Sequence, residues 1–271
     1  MTTLAAEIAG GCVVIAIGGI PIRLNTEDRG FLKLLRNRYA GFLGTAEAAE
    51  YVFDVDLHPP ETADLPDDPR VTFHEGRWLL ERGDFRAEWD TTLRRGTIRQ
   101  GLNPYSIDAV LRIVHTLVLA QAGGFLLHSA SAIRKGKAFL FAGVSGAGKT
   151  TISRLAPPDS TLLTDEISYV RKLPAGYTAF GTPFTGELSR LGENAQAPVE
   201  ALYLLAQGPV NRIEPVSPAD AGRELLANML FFAEDPSIVG CAFQSACDFV
   251  DCVPVSRLTF VPDTRVWEMI G

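Results

Sequence analysis

Apolar positions recur at two spacings along this chain, and the switches between them outline its elements. Cys12–Ile17 is a β-branched run, Gly18-Gly19 a turn and Ile20–Leu24 a second apolar run, which predicts an opening hairpin. Phe31-Leu32, Leu34-Leu35, Tyr39 and Phe42 fall at helical spacing and predict one amphipathic helix, with Arg36 and Arg38 read as a solvated face and, as the alternative, as a phosphate contact. Tyr51–Leu57 reads as a strand, and residues 58–69 as a Pro- and Asp-rich loop. Val71–His74, Trp78–Arg82, Phe85–Trp89 and Thr97–Gln100 then alternate between turns, as in an antiparallel meander whose core or cross-strand partners include Trp78 and Trp89. A helix is expected from an N-cap at Ser106 to Gln121, closed by Gly123-Gly124.

Beyond it the spacing returns to that of strands. Phe125–Ile133 and Ala138–Phe141 flank a tight turn at Lys135-Gly136-Lys137. A short helix follows, stopped by Pro157-Pro158, and Thr161–Leu163 is a brief strand. Strands are expected at Tyr177–Phe180 and Ala201–Ala206, helices over Ser217–Phe232 and Ile238–Phe249, and a closing strand at Val255–Val261. The pattern is α/β, with a β-rich α+β region over 1–100 ahead of a second region over 101–271.

The join between Ala138–Phe141 and the short helix carries the clearest chemistry. Residues 143–150 read Gly-Val-Ser-Gly-Ala-Gly-Lys-Thr, a complete G-x-x-x-x-G-K-[ST] phosphate loop in the strand–loop–helix setting it requires. Gly143, Gly146 and Gly148 allow the tight turn, and with Ser145, Ala147 and Thr151 they direct backbone N–H groups at phosphate oxygens. Lys149 is placed to reach the β- and γ-phosphates of ATP, and the Thr150 hydroxyl to ligate Mg²⁺. Asp165-Glu166 ends the next apolar strand. Adjacent carboxylates there suit phosphoryl transfer, one holding Mg²⁺ and its neighbour accepting the proton of an attacking hydroxyl. His128 stands inside the strand before the phosphate loop. A core histidine and a donor to phosphate or to the acidic pair fit that position equally. The remaining histidines, His58, His74 and His115, read as structural or solvated. The stretch Gly181–Glu187, with Thr182 and Glu187, is either a plain turn or a loop that closes over the acceptor.

Composition narrows the partners. At 46% hydrophobic and 21% charged residues the chain has ample material for a core, and its net charge of −7 argues against a nucleic-acid-binding face. Cys241, Cys247 and Cys252 match no common zinc spacing, and with Cys12 they read as reduced thiols. The apolar stretch 107–122 is interrupted by Asp108, Arg112 and His115, so no membrane span is expected. The N-terminal residues Met1–Glu7 carry no basic stretch of a secretory signal, and an ATP site places the chain in the cytoplasm.

In order and interval, the His128 strand, the phosphate loop, Leu163–Ile167, the Gly181–Glu187 loop and Pro198–Leu205 resemble the kinase domain of HPr kinase/phosphorylase and its HPr-kinase-related relatives. The Pro254–Phe260 strand is similar as well. HPr kinases proper carry Asp-Asp where this chain has Asp165-Glu166, a pair that resembles the related-protein subgroup, and the first 100 residues do not resemble the HPr kinase N-terminal domain. The resemblance implies a P-loop kinase domain of the HPr kinase/phosphoenolpyruvate carboxykinase type, with a mixed sheet. It implies Mg-ATP-dependent transfer to a hydroxyl, in the first place serine. Asp165 then matches the catalytic acid/base, Glu166 the Mg²⁺-associated acid and His128 the histidine beside them. Such relatives also resemble tailoring kinases of modified peptides. The expected partners are therefore a nucleotide and a hydroxyl acceptor on a protein, peptide or small molecule, with self-association left open and neither nucleic acid nor membrane involved. The N-terminal region is expected to help dock the acceptor. Two other readings stand beside this one: a nucleotide-binding regulatory module with slow hydrolysis, and a small-metabolite kinase.

Overall fold

In a computed structural model of the chain, residues 11–58, 68–186, 188 and 192–271 are described. The N-terminal stretch read for a signal, most of the Pro- and Asp-rich loop, and Glu187 lie outside them. The fold is α/β with mixed sheets, and the chain forms two compact units, Met1–Ile113 with Phe232–Glu234 and Val114–Phe231 with Asp235–Gly271.

The first unit holds β1 (Cys12–Ile17), β2 (Ile20–Asn25), α1 (Arg29–Arg38), β3 (Tyr51–Asp56), β4 (Arg70–His74), β5 (Arg77–Arg82), β6 (Phe85–Asp90) and β7 (Arg95–Gln100). Its seven strands form one sheet in the order β1-β2-β3-β7-β6-β5-β4. The opening hairpin and the meander of β4 to β7 are antiparallel, but β2, β3 and β7 run parallel. α1 supplies the crossover that a parallel β2–β3 pair needs. Asp28 caps α1 by accepting from the Phe31 amide at 2.7 Å, and Phe31, Leu32 and Leu35 bury its apolar face.

Arg36 and Arg38 are not the solvated face their spacing suggested. Arg36 donates to the Cys12 carbonyl at 3.0 Å, and Arg38 pairs through two nitrogens with Asp108. The buried Tyr39 hydroxyl donates to the same carboxylate. Burial and the Asp108 charge push the Tyr39 phenol well above its ordinary range. Across β3, β7, β6, β5 and β4 the register aligns Asp56, Arg99, Arg86, Glu81 and Arg70 in one row. Glu81, 5% exposed, sits between Arg70 at 2.7 Å and Arg86 at 3.8 Å. On the opposite face Trp78 and Trp89 pair across β5 and β6, both buried, as expected of core aromatics.

Helix α2 (Pro104–Gln121) contains the division between the units. It starts two residues before the expected Ser106 cap. The Asn103 side chain instead accepts from the Tyr105 amide at 2.9 Å, and the buried Ser106 hydroxyl donates to Asp84 at 2.7 Å.

The second unit contains β8 (Phe125–Arg134), β9 (Lys137–Ala142), α3 (Lys149–Arg154), β10 (Ser160–Thr164), β11 (Ile167–Leu173), β12 (Gly176–Phe180), β13 (Gln196–Gln207), β14 (Arg212–Pro215), α4 (Pro218–Asn228), α5 (Pro236–Cys252) and β15 (Val255–Phe260). They build an eight-stranded mixed sheet in which β9, β13 and β15 are parallel neighbours. Strand alternation splits the core. Leu140, Leu202 and Leu204 face the helix residues Leu225, Ala246 and Phe249, while Phe139, Phe141 and Tyr203 face Ile152, Trp267 and Ile270. The central strands are thus apolar on both faces, as buried parallel strands are. The helix expected to reach Phe232 ends at Asn228, because Met229 and Leu230 turn onto β8 and bond Leu127 and Leu126 there. No helix among the described residues is long and apolar enough to cross a membrane.

Candidate active site

The site is assembled on β8, which changes partners midway. Its first half, Phe125–His128, pairs with β11, and Ser131–Arg134 pairs on the same edge with β10. The two-residue connection from β10 to β11 is Asp165-Glu166, so both carboxylates emerge where β8 changes partner, with Ile167 opposite His128. On the other edge of β8, Ser129 faces Ala142, the last residue of β9, and the phosphate loop begins one residue later. Two local devices hold the connection. β10 is irregular between Leu162 and Thr164, a break in the ladder of the kind that re-aims a strand end. The Thr164 hydroxyl then accepts from the Glu166 and Ile167 amides, each at 3.2 Å.

A cavity of about 260 Å³ results, lined by His128, Ser145, Gly146, Gly148, Lys149, Thr150, Thr151, Asp165, Glu166 and Gly186. Most of the residues singled out from the sequence therefore share one wall or the other of a single space. Gly143 and Ala147 do not line it. Ala147 is buried in the core with Ile152, and a side-chain carbon on Gly143 would stand 2.8 Å from the Ala147 methyl, so these two close the loop from behind. Gly148 caps α3 at φ +112°, and a side chain there would meet the Phe260 ring at 2.6 Å. Only glycine fits both the conformation and the space. Lys149 donates to the carbonyls of Gly143 at 2.8 Å and Val144 at 3.4 Å. Gln207, at the end of β13, donates to the Gly146 carbonyl at 2.7 Å and fixes that peptide plane.

Asp165 is 3% exposed, and its two oxygens accept from the amides of Gly186 at 3.0 Å and Leu188 at 2.9 Å. Gly186 lies directly on the acidic pair: a side-chain carbon there would stand 2.7 Å from a Glu166 oxygen and 2.9 Å from an Asp165 oxygen. Thr182, in the stretch read either as a plain turn or as a loop closing over the acceptor, is fully buried. Its hydroxyl donates to the Ile167 carbonyl at 2.9 Å, and its amide bonds Leu163 at 3.2 Å. It anchors the loop, and Gly186 is the loop residue that reaches the cavity. Glu187 falls outside the described residues. Gly186, Gln207 and Phe260 were not read from the sequence as site residues. Gly186 at least lies within the glycine-bounded stretch 181–187, which was a visible signal.

His128 is half-buried in the cavity wall, while His58 and His74 are exposed and His115 is buried. The thiols Cys12, Cys241, Cys247 and Cys252 are free, and among the described residues no cluster of three or more His, Cys, Asp or Glu side chains could hold a metal by itself. Thr150 and Glu166, among the side-chain oxygens that line the cavity, are of the hard type that Mg²⁺ accepts alongside phosphate and water.

No curated protein matches the chain. Residues 98–271 match the family described as SynChlorMet cassette protein ScmC, a span that includes the whole cavity and more than half of the sequence. The chain therefore belongs to the ScmC family of SynChlorMet cassette proteins.

Proposed function

We propose that the protein is a kinase that moves the γ-phosphoryl group of Mg-ATP to a hydroxyl, in the first place serine of a protein, peptide or small molecule. The supporting observation is the single cavity that sets the phosphate loop and Lys149 against Asp165, Glu166 and His128. A fold of the HPr kinase/phosphoenolpyruvate carboxykinase type is part of the same reading.

The residues divide the work. Amides of the loop and of the α3 N-terminus receive the phosphates, and Lys149 exchanges its carbonyl partners for phosphate oxygens. Thr150 and Glu166 would hold Mg²⁺, which would supply positive charge to offset that of the phosphates. Asp165 takes the proton of the attacking hydroxyl. Among the described residues each of its oxygens accepts one amide, which orients the carboxylate while a second lone pair on each oxygen remains for the proton. His128 faces the same space and donates to phosphate or steadies the acidic pair.

Calorimetry with Mg-ATP, together with labelled ATP and a cell lysate, tests the proposal. Lys149→Ala should lose nucleotide affinity. Asp165→Asn should keep it and slow transfer by roughly 10²–10⁴. Wild-type affinity in Lys149→Ala would place the nucleotide elsewhere. Binding and slow hydrolysis without any labelled acceptor would favour the regulatory module, and a labelled metabolite the small-molecule kinase.

A further inference from the structure

We propose that Thr185 is itself a phosphoryl acceptor, taking the γ-phosphoryl group of ATP bound in the same molecule. The proposal rests on the kinase reading above. Thr185 lies in a short stretch held on both sides. Before it, Thr182 is bonded to the Ile167 carbonyl and Phe184 is 1% exposed. After it, the Gly186 amide bonds Asp165 at 3.0 Å. Thr185 between them is half-buried, and its hydroxyl makes no hydrogen bond among the described residues. A single peptide unit links its Cα to the amide on Asp165, which keeps that Cα within about 5.4 Å of the carboxylate oxygen.

Among the described residues, the hydroxyls that line the cavity or hold its walls are placed for different work. Ser145, Thr150 and Thr151 stand on the phosphate-loop side. Thr164 accepts from the two amides of the β10–β11 connection, and Thr182 is committed to Ile167. Among the described residues, Thr185 is thus the half-buried hydroxyl left without a bond next to the loop amide that holds Asp165, on the side where an acceptor has to stand for Asp165 to take its proton.

In the step, Thr185 Oγ1 forms a bond to the γ-phosphorus. The bond from that phosphorus to the β–γ bridging oxygen breaks, and its electron pair leaves with ADP. The hydroxyl proton passes to the Asp165 carboxylate. The product places a phosphate of about −2 charge beside Asp165 and Glu166, where like-charge repulsion displaces the loop amides from Asp165. Phosphorylation would thereby limit the protein's own nucleotide binding.

The experiment uses the full chain with Mg²⁺ and γ-labelled ATP, maps phosphorylated residues by mass spectrometry and follows labelling across a dilution series. Nucleotide affinity is measured by calorimetry on the same samples. Expected are label on Thr185, a first-order rate constant unchanged by dilution, no label at that position in Thr185→Val, restored label in Thr185→Ser, and weaker nucleotide binding by the labelled form. Label only at other residues, a rate constant that rises with protein concentration, or a protein that binds nucleotide yet takes up no label would each overturn the proposal while leaving the nucleotide site standing. Absence of nucleotide binding would overturn the kinase reading and this proposal together.

Discussion

Acidification to about pH 5 should cost the second unit roughly 2 kcal/mol through His115 alone. His115 is fully buried, its Nδ1 lies 2.9 Å from the Tyr169 hydroxyl, and its Nε2 has no hydrogen-bond partner among the described residues. Burial first, and the Arg171 charge second, push its pKa from 6.5 down to about 3. Between those values the unfolded chain binds the proton and the folded chain does not, so stability rises with pH through this window. About 1.5 units below the unfolded value, at roughly 1.4 kcal/mol per unit, the loss is about 2 kcal/mol. His115→Leu removes the titrating group. It also leaves Tyr169 without one partner, a cost of about 1 kcal/mol that does not vary with pH. Urea unfolding at about pH 7.5 and about pH 5 separates the two effects. The mutant should start lower at neutral pH and then lose about 2 kcal/mol less than wild type on acidification. Equal losses in both proteins would mean that His115 does not carry the pH dependence and that its ring is hydrated or already paired when charged.

Three further outcomes follow from the geometry. Asp108→Ala strips the shared acceptor from Arg38 and the buried Tyr39 hydroxyl, and should lower the stability of the first unit by about 3–5 kcal/mol in urea titration. Gly186→Ala presses a methyl group on Glu166 and Asp165. It should raise the Mg²⁺ concentration needed for tight ATP binding in calorimetry while changing overall stability by no more than about 1 kcal/mol. Gln207→Leu frees the Gly146 carbonyl and should weaken ATP binding by roughly threefold to tenfold, the equivalent of one hydrogen bond, with thermal unfolding unchanged.

What could be read in advance was what a short stretch of chain decides for itself. The phosphate loop is such a case, because its glycines, lysine and threonine are adjacent and lie between a strand and a helix start. The hairpins are another, since Gly18-Gly19 and Lys135-Gly136 announce them. Features set by distant partners were not legible. β11 and β14 were missed because Ile167–Leu173 and Arg212–Pro215 mix charged and apolar residues, and it is pairing with β8, β12 and β15 that makes them strands. The parallel run of β2, β3 and β7 depends on which strands meet, which alternation within a strand does not encode. Arg38 looked solvated because its partner Asp108 is seventy residues away. In the site, His128, Lys149, Asp165 and Glu166 were visible as chemistry. Gly186 became a site residue only once the fold brought it onto the carboxylates, and Thr182 ceased to be one once its hydroxyl was buried.

The ten residues of β8 set where this protein can change in length. At its far end the Lys135-Gly136 turn joins only β8 and β9, and extra residues there leave every other pairing untouched. Between His128 and Ser131 the strand is bonded to β11, β10 and β9 within four positions. One residue inserted there would turn half the strand over, because side chains alternate faces. His128 would leave the cavity while β10 still held the acidic pair in place. Insertions and deletions among ScmC proteins should therefore gather at the β8–β9 turn and be absent from the middle of the strand.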